Sequence, residues 1–111
     1  MTEGDVVLAR LPQVDGTVKL RPAVLLCIMP PFNDFLICGV STQLHQSAVN
    51  FDEQIGPIDS DFAASGLKSV SLIRLGYLAV LPVGQLKGRI GRISTSRLIR
   101  LRTTLADHLR P

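Results

Sequence analysis

Apolar positions form short, nearly unbroken runs over the first two thirds of the chain and a helical stripe at its end. Asp5 to Leu11 is apolar and β-branched and predicts a strand. Pro12 to Thr17 is a loop, with Asp15-Gly16 supplying the positive-φ position of a tight turn. Pro22 to Met29 is a fully apolar run of strand length, broken by Pro30-Pro31-Phe32-Asn33-Asp34 because two prolines cannot continue a ladder. Phe35 to Gln43 predicts the next strand, and Ala48-Val49-Asn50-Phe51 a short edge strand in an otherwise ambiguous stretch. Asp59 to Gly66 has the form of one helical turn, capped by an Asp or Ser and stopped by Gly66. Ser69 to Leu75 alternates, and Tyr77 to Leu81 follows as a further strand or extended segment. Gly84, Gly88 and Gly91 interrupt the chain next. They lack the preceding strand and following helix of a nucleotide-binding fingerprint, so they read as points of backbone freedom.

The last segment carries the clearest helix signal. Ser94-Thr95-Ser96 offers hydroxyl caps, and Leu98, Leu101, Leu105 and Leu109 recur at three- and four-residue steps. Arg97, Arg100 and Arg110 lie mostly off that stripe. The elements together predict a mainly β fold with a C-terminal helix: a small, strongly bent, SH3-like antiparallel β-barrel.

Composition narrows this reading. A chain of 111 residues is one domain, 1–111, with room for a single core. Apolar residues make up 46% of it and the mean hydropathy is +0.31, which predicts that a partner covers part of its surface. Symmetric self-association, a homodimer at its simplest, meets that need. No apolar run approaches the ~20 residues of a membrane helix. Met1-Thr2-Glu3-Gly4-Asp5 has no basic n-region, so the chain reads as cytoplasmic. In that compartment Cys27 and Cys38, both inside predicted strands, are expected as buried thiols rather than a disulfide. The two histidines lie far apart and no CxxC or HxxxH occurs, so no cofactor is expected and any chemistry is either metal-independent or uses a metal held loosely.

Charge is unevenly spread. Residues 1–86 hold five Lys/Arg and eight Asp/Glu, whereas residues 87–111 hold seven Lys/Arg and one acid. A basic end fits a nucleic acid or an acidic partner, and equally a solvated helix face.

Two segments about twenty residues apart carry the candidate chemistry. In Lys19-Leu20-Arg21-Pro22-Ala23-Val24 a permanent cation stands at the mouth of a strand. In Gly39-Val40-Ser41-Thr42-Gln43 an apolar run ends in two hydroxyls and an amide. A guanidinium and hydroxyl donors at rigid strand ends suit a phosphate or an oxyanion. Arg21, Ser41 and Thr42 are therefore the candidate catalytic residues. The side chains of Lys19 and Arg74 suit phosphate contacts, and Gln43 suits the reading of a base edge. His45, an imidazole near these residues in sequence, suits a general acid or base, although a lone loop histidine is more often a bystander.

With Gly4-Asp5-Val6-Val7 before them, and Ser65-Gly66-Leu67-Lys68-Ser69-Val70, Leu78-Ala79-Val80-Leu81 and Gly88-Arg89-Ile90-Gly91-Arg92-Ile93-Ser94 after them, these segments resemble the MazF/PemK family of toxin endoribonucleases. The resemblance runs along nearly the whole chain and rests on order and spacing rather than on any one motif. It implies a MazF/CcdB-like barrel, metal-independent cleavage of single-stranded RNA to 2′,3′-cyclic phosphate and 5′-hydroxyl ends, and a dimer groove that holds the RNA. It also implies a cognate antitoxin protein. Ser41 stands where the family often has Thr. In the PemK branch, an Arg matching Arg74 is followed two residues later by an acid, where this chain has Gly76. That departure leaves three possibilities: the pair Arg21 and Ser41 suffices, His45 or Asp5 substitutes, or catalysis has been lost. It also leaves open a CcdB-like, non-enzymatic toxin or an inactive family member that binds a protein. A generic SH3-like interaction module is a third reading, weakened by the chain's scarcity of aromatic residues.

Overall fold

The protein, described over residues 1–111 by a computed structural model, is built on one six-stranded antiparallel sheet. Its strands are β1 (Asp5–Pro12), β2 (Val18–Met29), β3 (Asp34–Ser41), β4 (Glu53–Ile55), β5 (Ser71–Leu81) and β6 (Leu86–Arg92). Their spatial order is β4-β5-β3-β2-β1-β6. Helix α1 (Phe62–Ser65) precedes β5, and helix α2 (Thr95–Leu109) ends the chain. Register shifts in the β1–β6, β2–β3 and β3–β5 ladders mark bulges, which bend the strands and raise their twist. The sheet curls as expected of an SH3-like fold, but β4 and β6 remain edges, so the barrel is not closed by pairing.

The bend explains why the central strands are apolar throughout. Val6, Val24, Cys38, Val40 and Ile73 face one core with Leu98, Leu101 and Leu105 of α2. Val7, Ala9, Leu11, Ala23, Leu25 and Ile37 face a second core on the other side of the sheet, against Phe35 and Leu86. A strand buried on both faces has no polar side to alternate with. Ser94 Oγ accepts the Arg97 N–H at 3.1 Å and caps α2 as the hydroxyl cluster predicts. The leucine stripe ends one turn early, because Leu109 is exposed at the fraying terminus.

Several expected boundaries move. The strand beginning at Pro22 reaches back to Val18, and the one running to Gln43 stops at Ser41, where a 3₁₀ turn (Leu44–Gln46) begins. Ala48–Phe51 is a turn rather than an edge strand: the Asp52 carboxylate accepts the Ala48 N–H at 2.9 Å and Asn50 takes φ 60°. The edge strand is β4, which starts at Glu53, two residues past Phe51. Ser69–Leu75 and Tyr77–Leu81 are halves of one strand, β5, joined through an irregularity in its ladder with β3. The glycine-rich stretch is β6, for which alternating polar residues on an edge gave no signal. There Gly91 fills a structural need, since a Cβ would lie 2.2 Å from the Ser65 carbonyl carbon. Cys38 is a buried free thiol whose pKa burial pushes up to about 12, and Cys27 is a free, half-buried thiol.

Arg97, expected off the buried stripe, is only 4% exposed. Its Nε donates to Asp61 Oδ2 at 2.8 Å, its Nη2 to Asp61 Oδ1 at 3.1 Å, and its Nη1 to Glu53 Oε1 at 2.8 Å. This network ties α2 to β4 and to the start of α1. Asp61 stands at the cap position of α1 but makes no cap bond, because its carboxylate is held by Arg97 and by the Ser94 N–H.

Candidate functional site

Strand pairing gathers residues that are distant in sequence. Arg21 on β2 lies opposite Ala9 on β1, and the β2–β3 ladder ends at the pair Ala23–Gly39. Carrying that register two residues further sets Ser41 across from Arg21. On the other flank of β3, Gly39 faces Arg74 and Ser41 faces Leu72. Paired residues share a sheet face and alternate residues return to it, so Arg21, Ser41 and Arg74 emerge on one side.

That side opens into a cleft of about 300 Å³ lined by Leu11, Pro12, Gln13, Val14, Arg21, Pro22, Gly39, Val40, Ser41, Thr42, Gln43, Gln46, Ser71, Arg74 and Tyr77. Five of the sequence-predicted residues therefore converge: Arg21, Ser41, Thr42, Gln43 and Arg74. Lys19 and His45 are exposed and lie outside the lining. Lys19 sits opposite Leu11 in the β1–β2 hairpin, and His45 sits on the 3₁₀ turn. Gln13, Gln46 and Tyr77 join the site without having been singled out. Tyr77 follows the ladder irregularity of β5, which its alternation does not reveal. Its ring packs over Gly39, where a Cβ would meet Tyr77 Cγ at 3.3 Å, and its hydroxyl donates to the Pro12 carbonyl at 2.9 Å.

The cleft is positive. No Asp or Glu lines it, neither Arg21 nor Arg74 has an acidic partner, and Arg74 Nε is buried with no hydrogen-bond partner. An orphaned guanidinium nitrogen in a cleft that also holds two hydroxyls at the end of β3 is suited to an anion. Ser41 Oγ accepts the Gln43 N–H at 3.0 Å, which fixes the hydroxyl while leaving its proton free to donate. Asp5 cannot supply the missing acid. It is buried against Arg89 at 3.1 Å and Arg92 at 3.2 Å. Burial alone would raise its pKa, but the Thr2 N–H and the two guanidinium groups hold it below the usual carboxylate range.

The basic end of the chain is not the electrostatic face. Arg89 and Arg92 pair with Asp5, Arg97 with Asp61, Asp59 and Glu53, Arg100 with Glu53, Arg102 with Glu3, and Arg110 with Asp107. Only Lys87 in that segment lacks an acidic partner. The other cations without one are Arg10, Lys19, Arg21, Lys68 and Arg74, three of them on the β1–β2 hairpin. Folding thus neutralises the C-terminal charge and leaves the excess near the cleft. No three His, Cys, Asp or Glu side chains gather as metal ligands, and no helix is long and apolar enough to cross a membrane.

Comparison with known proteins matches this description. The profile of a family described as PemK-like, MazF-like toxin of type II toxin–antitoxin system matches residues 2–109. The structure is similar to the Mycobacterium tuberculosis toxin MazF-mt6, with TM-score 0.68 and 19% identity over 93% of each chain. It is also similar to an endoribonuclease in complex with its cognate antitoxin from a mycobacterial species, with TM-score 0.69 and 15% identity over 98% of this chain and 94% of that one. No curated protein matches the chain by sequence.

Proposed function

The chain belongs to the PemK-like, MazF-like toxin family of type II toxin–antitoxin systems, and from that premise we propose that it is a metal-independent, sequence-selective endoribonuclease. The observation that carries the proposal is the acid-free cleft in which Arg21 and Arg74 flank Ser41 and Thr42. Single-stranded RNA lies across the cleft with its bases splayed for reading. The 2′-hydroxyl attacks the adjacent phosphorus, the bond to the 5′-oxygen breaks, and the products are a 2′,3′-cyclic phosphate and a 5′-hydroxyl. Arg21 and Arg74 stabilise the charge that grows on the phosphoryl oxygens, a contribution worth on the order of 3 kcal/mol per donor in such sites. Ser41, held by the Gln43 N–H, and Thr42 donate to the same oxygens. Lys19 and His45, at the rim, meet the flanking RNA backbone. The protein acts in the cytoplasm as a homodimer, for which exposed Leu20, Ile28, Phe32, Leu78 and Val80 leave apolar surface. A cognate antitoxin restrains it.

One observation favours a second reading. No carboxylate or imidazole lines the cleft to move a proton, as a non-enzymatic toxin that binds a protein would allow. Incubation with a long single-stranded RNA in EDTA, with the ends mapped, separates the two. Discrete cuts leaving 5′-hydroxyl ends support the nuclease. Intact RNA from a folded protein favours the protein-binding toxin.

A further inference from the structure

The 3₁₀ turn after β3 adds to the site a residue that sequence spacing does not reveal. Its phase decides which side chains enter the cleft. Gln43 stands as the N-cap just before the three-residue helix and Gln46 ends it, one 3₁₀ turn further on. The Gln46 N–H donates to the Gln43 carbonyl at 3.0 Å, which closes that turn. Both line the cleft, and His45 between them does not. Neither side-chain amide makes a hydrogen bond within the protein, whereas across the cleft Gln13 Nε2 donates to the Leu11 carbonyl at 3.0 Å and so turns its own amide into a fixed group with a free Oε1 acceptor.

The division of labour follows from chemistry. Phosphate is an acceptor and is met by the unpaired guanidinium groups of Arg21 and Arg74. A neutral amide adds little to phosphate binding, but it presents a donor and an acceptor side by side, as a base edge does. Two exposed amides with no partner inside the protein, in the same cleft as two unpaired guanidinium groups, are suited to read rather than to hold. We infer that Gln46, acting with Gln43, is a specificity-determining residue that reads the edge of a base next to the scissile phosphate. This rests on the nuclease reading above.

The test is cleavage of a randomised single-stranded RNA pool by the wild type, Gln46→Ala and Gln46→Glu, with cut sites sequenced. Gln46→Glu matches the shape but replaces the amide donors with acceptors. Losing a good pair at one base costs roughly tenfold to a hundredfold in discrimination. The expected result is therefore a preference at one nucleotide position that relaxes by about that factor in Gln46→Ala and changes identity in Gln46→Glu. Preferences at the other positions persist. Variants that cut the wild-type sites with the same ranking overturn the inference, as does a loss of rate that is uniform over all sites. A wild-type protein that leaves the pool intact brings down the nuclease reading as well, which distinguishes the two failures.

Discussion

Arg21 and Arg74 are held differently, and the difference sets what each does. Arg21 is exposed at the mouth of the cleft, free to swing onto an incoming phosphate. Arg74 is partly buried, with its Nε cut off from solvent and unpartnered, so it waits as a fixed donor. Both were visible in the sequence as cations at apolar strands. Tyr77 and Gln46 were not, because one depends on a ladder irregularity and the other on the phase of a 3₁₀ turn, and neither leaves a periodic trace. Tyr77 links the β1–β2 loop to the sheet floor through a single hydroxyl. Tyr77→Phe keeps the ring over Gly39 and removes the bond to Pro12, at a cost of about 1 kcal/mol. Hydrogen exchange of the 13–17 amides is expected to quicken in that variant while exchange in β2 and β3 stays slow. Unchanged loop exchange would show that other contacts hold this wall.

At the scale of elements, the legible parts were those that periodicity writes: the doubly buried strands β2 and β3 and the amphipathic helix α2. Edges were not legible. Edge strands β4 and β6 are short or polar, and their pairing is decided by partners far along the chain. Arg97 is the clearest case. Its spacing placed it off the apolar stripe, yet the fold brings Asp61 and Glu53 to meet it. Burial alone would raise the Asp61 pKa, but the Arg97 guanidinium and the Ser94 N–H bring it down to about 2. A carboxylate depressed in the folded state stabilises above its unfolded pKa near 4 and loses that contribution as pH falls toward 2. The expected loss at this site is about 2 kcal/mol between pH 5 and pH 2, read by denaturant unfolding, and Asp61→Asn is expected to flatten that slope. An equally steep slope in Asp61→Asn would move the acid sensitivity elsewhere. Arg97→Ala leaves Asp61 buried and unpaired, at an expected cost of about 3–5 kcal/mol.

At the scale of the whole molecule, folding decides where the free charge is. The linear asymmetry left the last 25 residues open as a partner-binding face or a solvated one, and folding pairs nearly all of their arginines with acids from earlier in the chain. Linear charge density is silent on such long-range pairing. The free cations instead cluster on the β1–β2 hairpin and in the cleft. RNA affinity is accordingly expected to fall, and its salt dependence to weaken by about one counterion, in Lys19→Ala, while Arg102→Ala on α2 leaves both nearly unchanged. The reverse ranking in binding measured from 50 to 200 mM salt would return the RNA to the helix face.

Arg21 is proposed to stabilise the phosphoryl transition state in a cleft that no carboxylate lines. The measurement that tests it most directly is the single-turnover cleavage rate of Arg21→Ala against wild type on one mapped RNA site in EDTA, with thermal unfolding of both proteins followed alongside. Because Arg21 is exposed and makes no ion pair, Tm is expected to stay unchanged and the rate to fall by about a hundredfold to a thousandfold. A variant that unfolds like the wild type and cuts at the wild-type rate would contradict it.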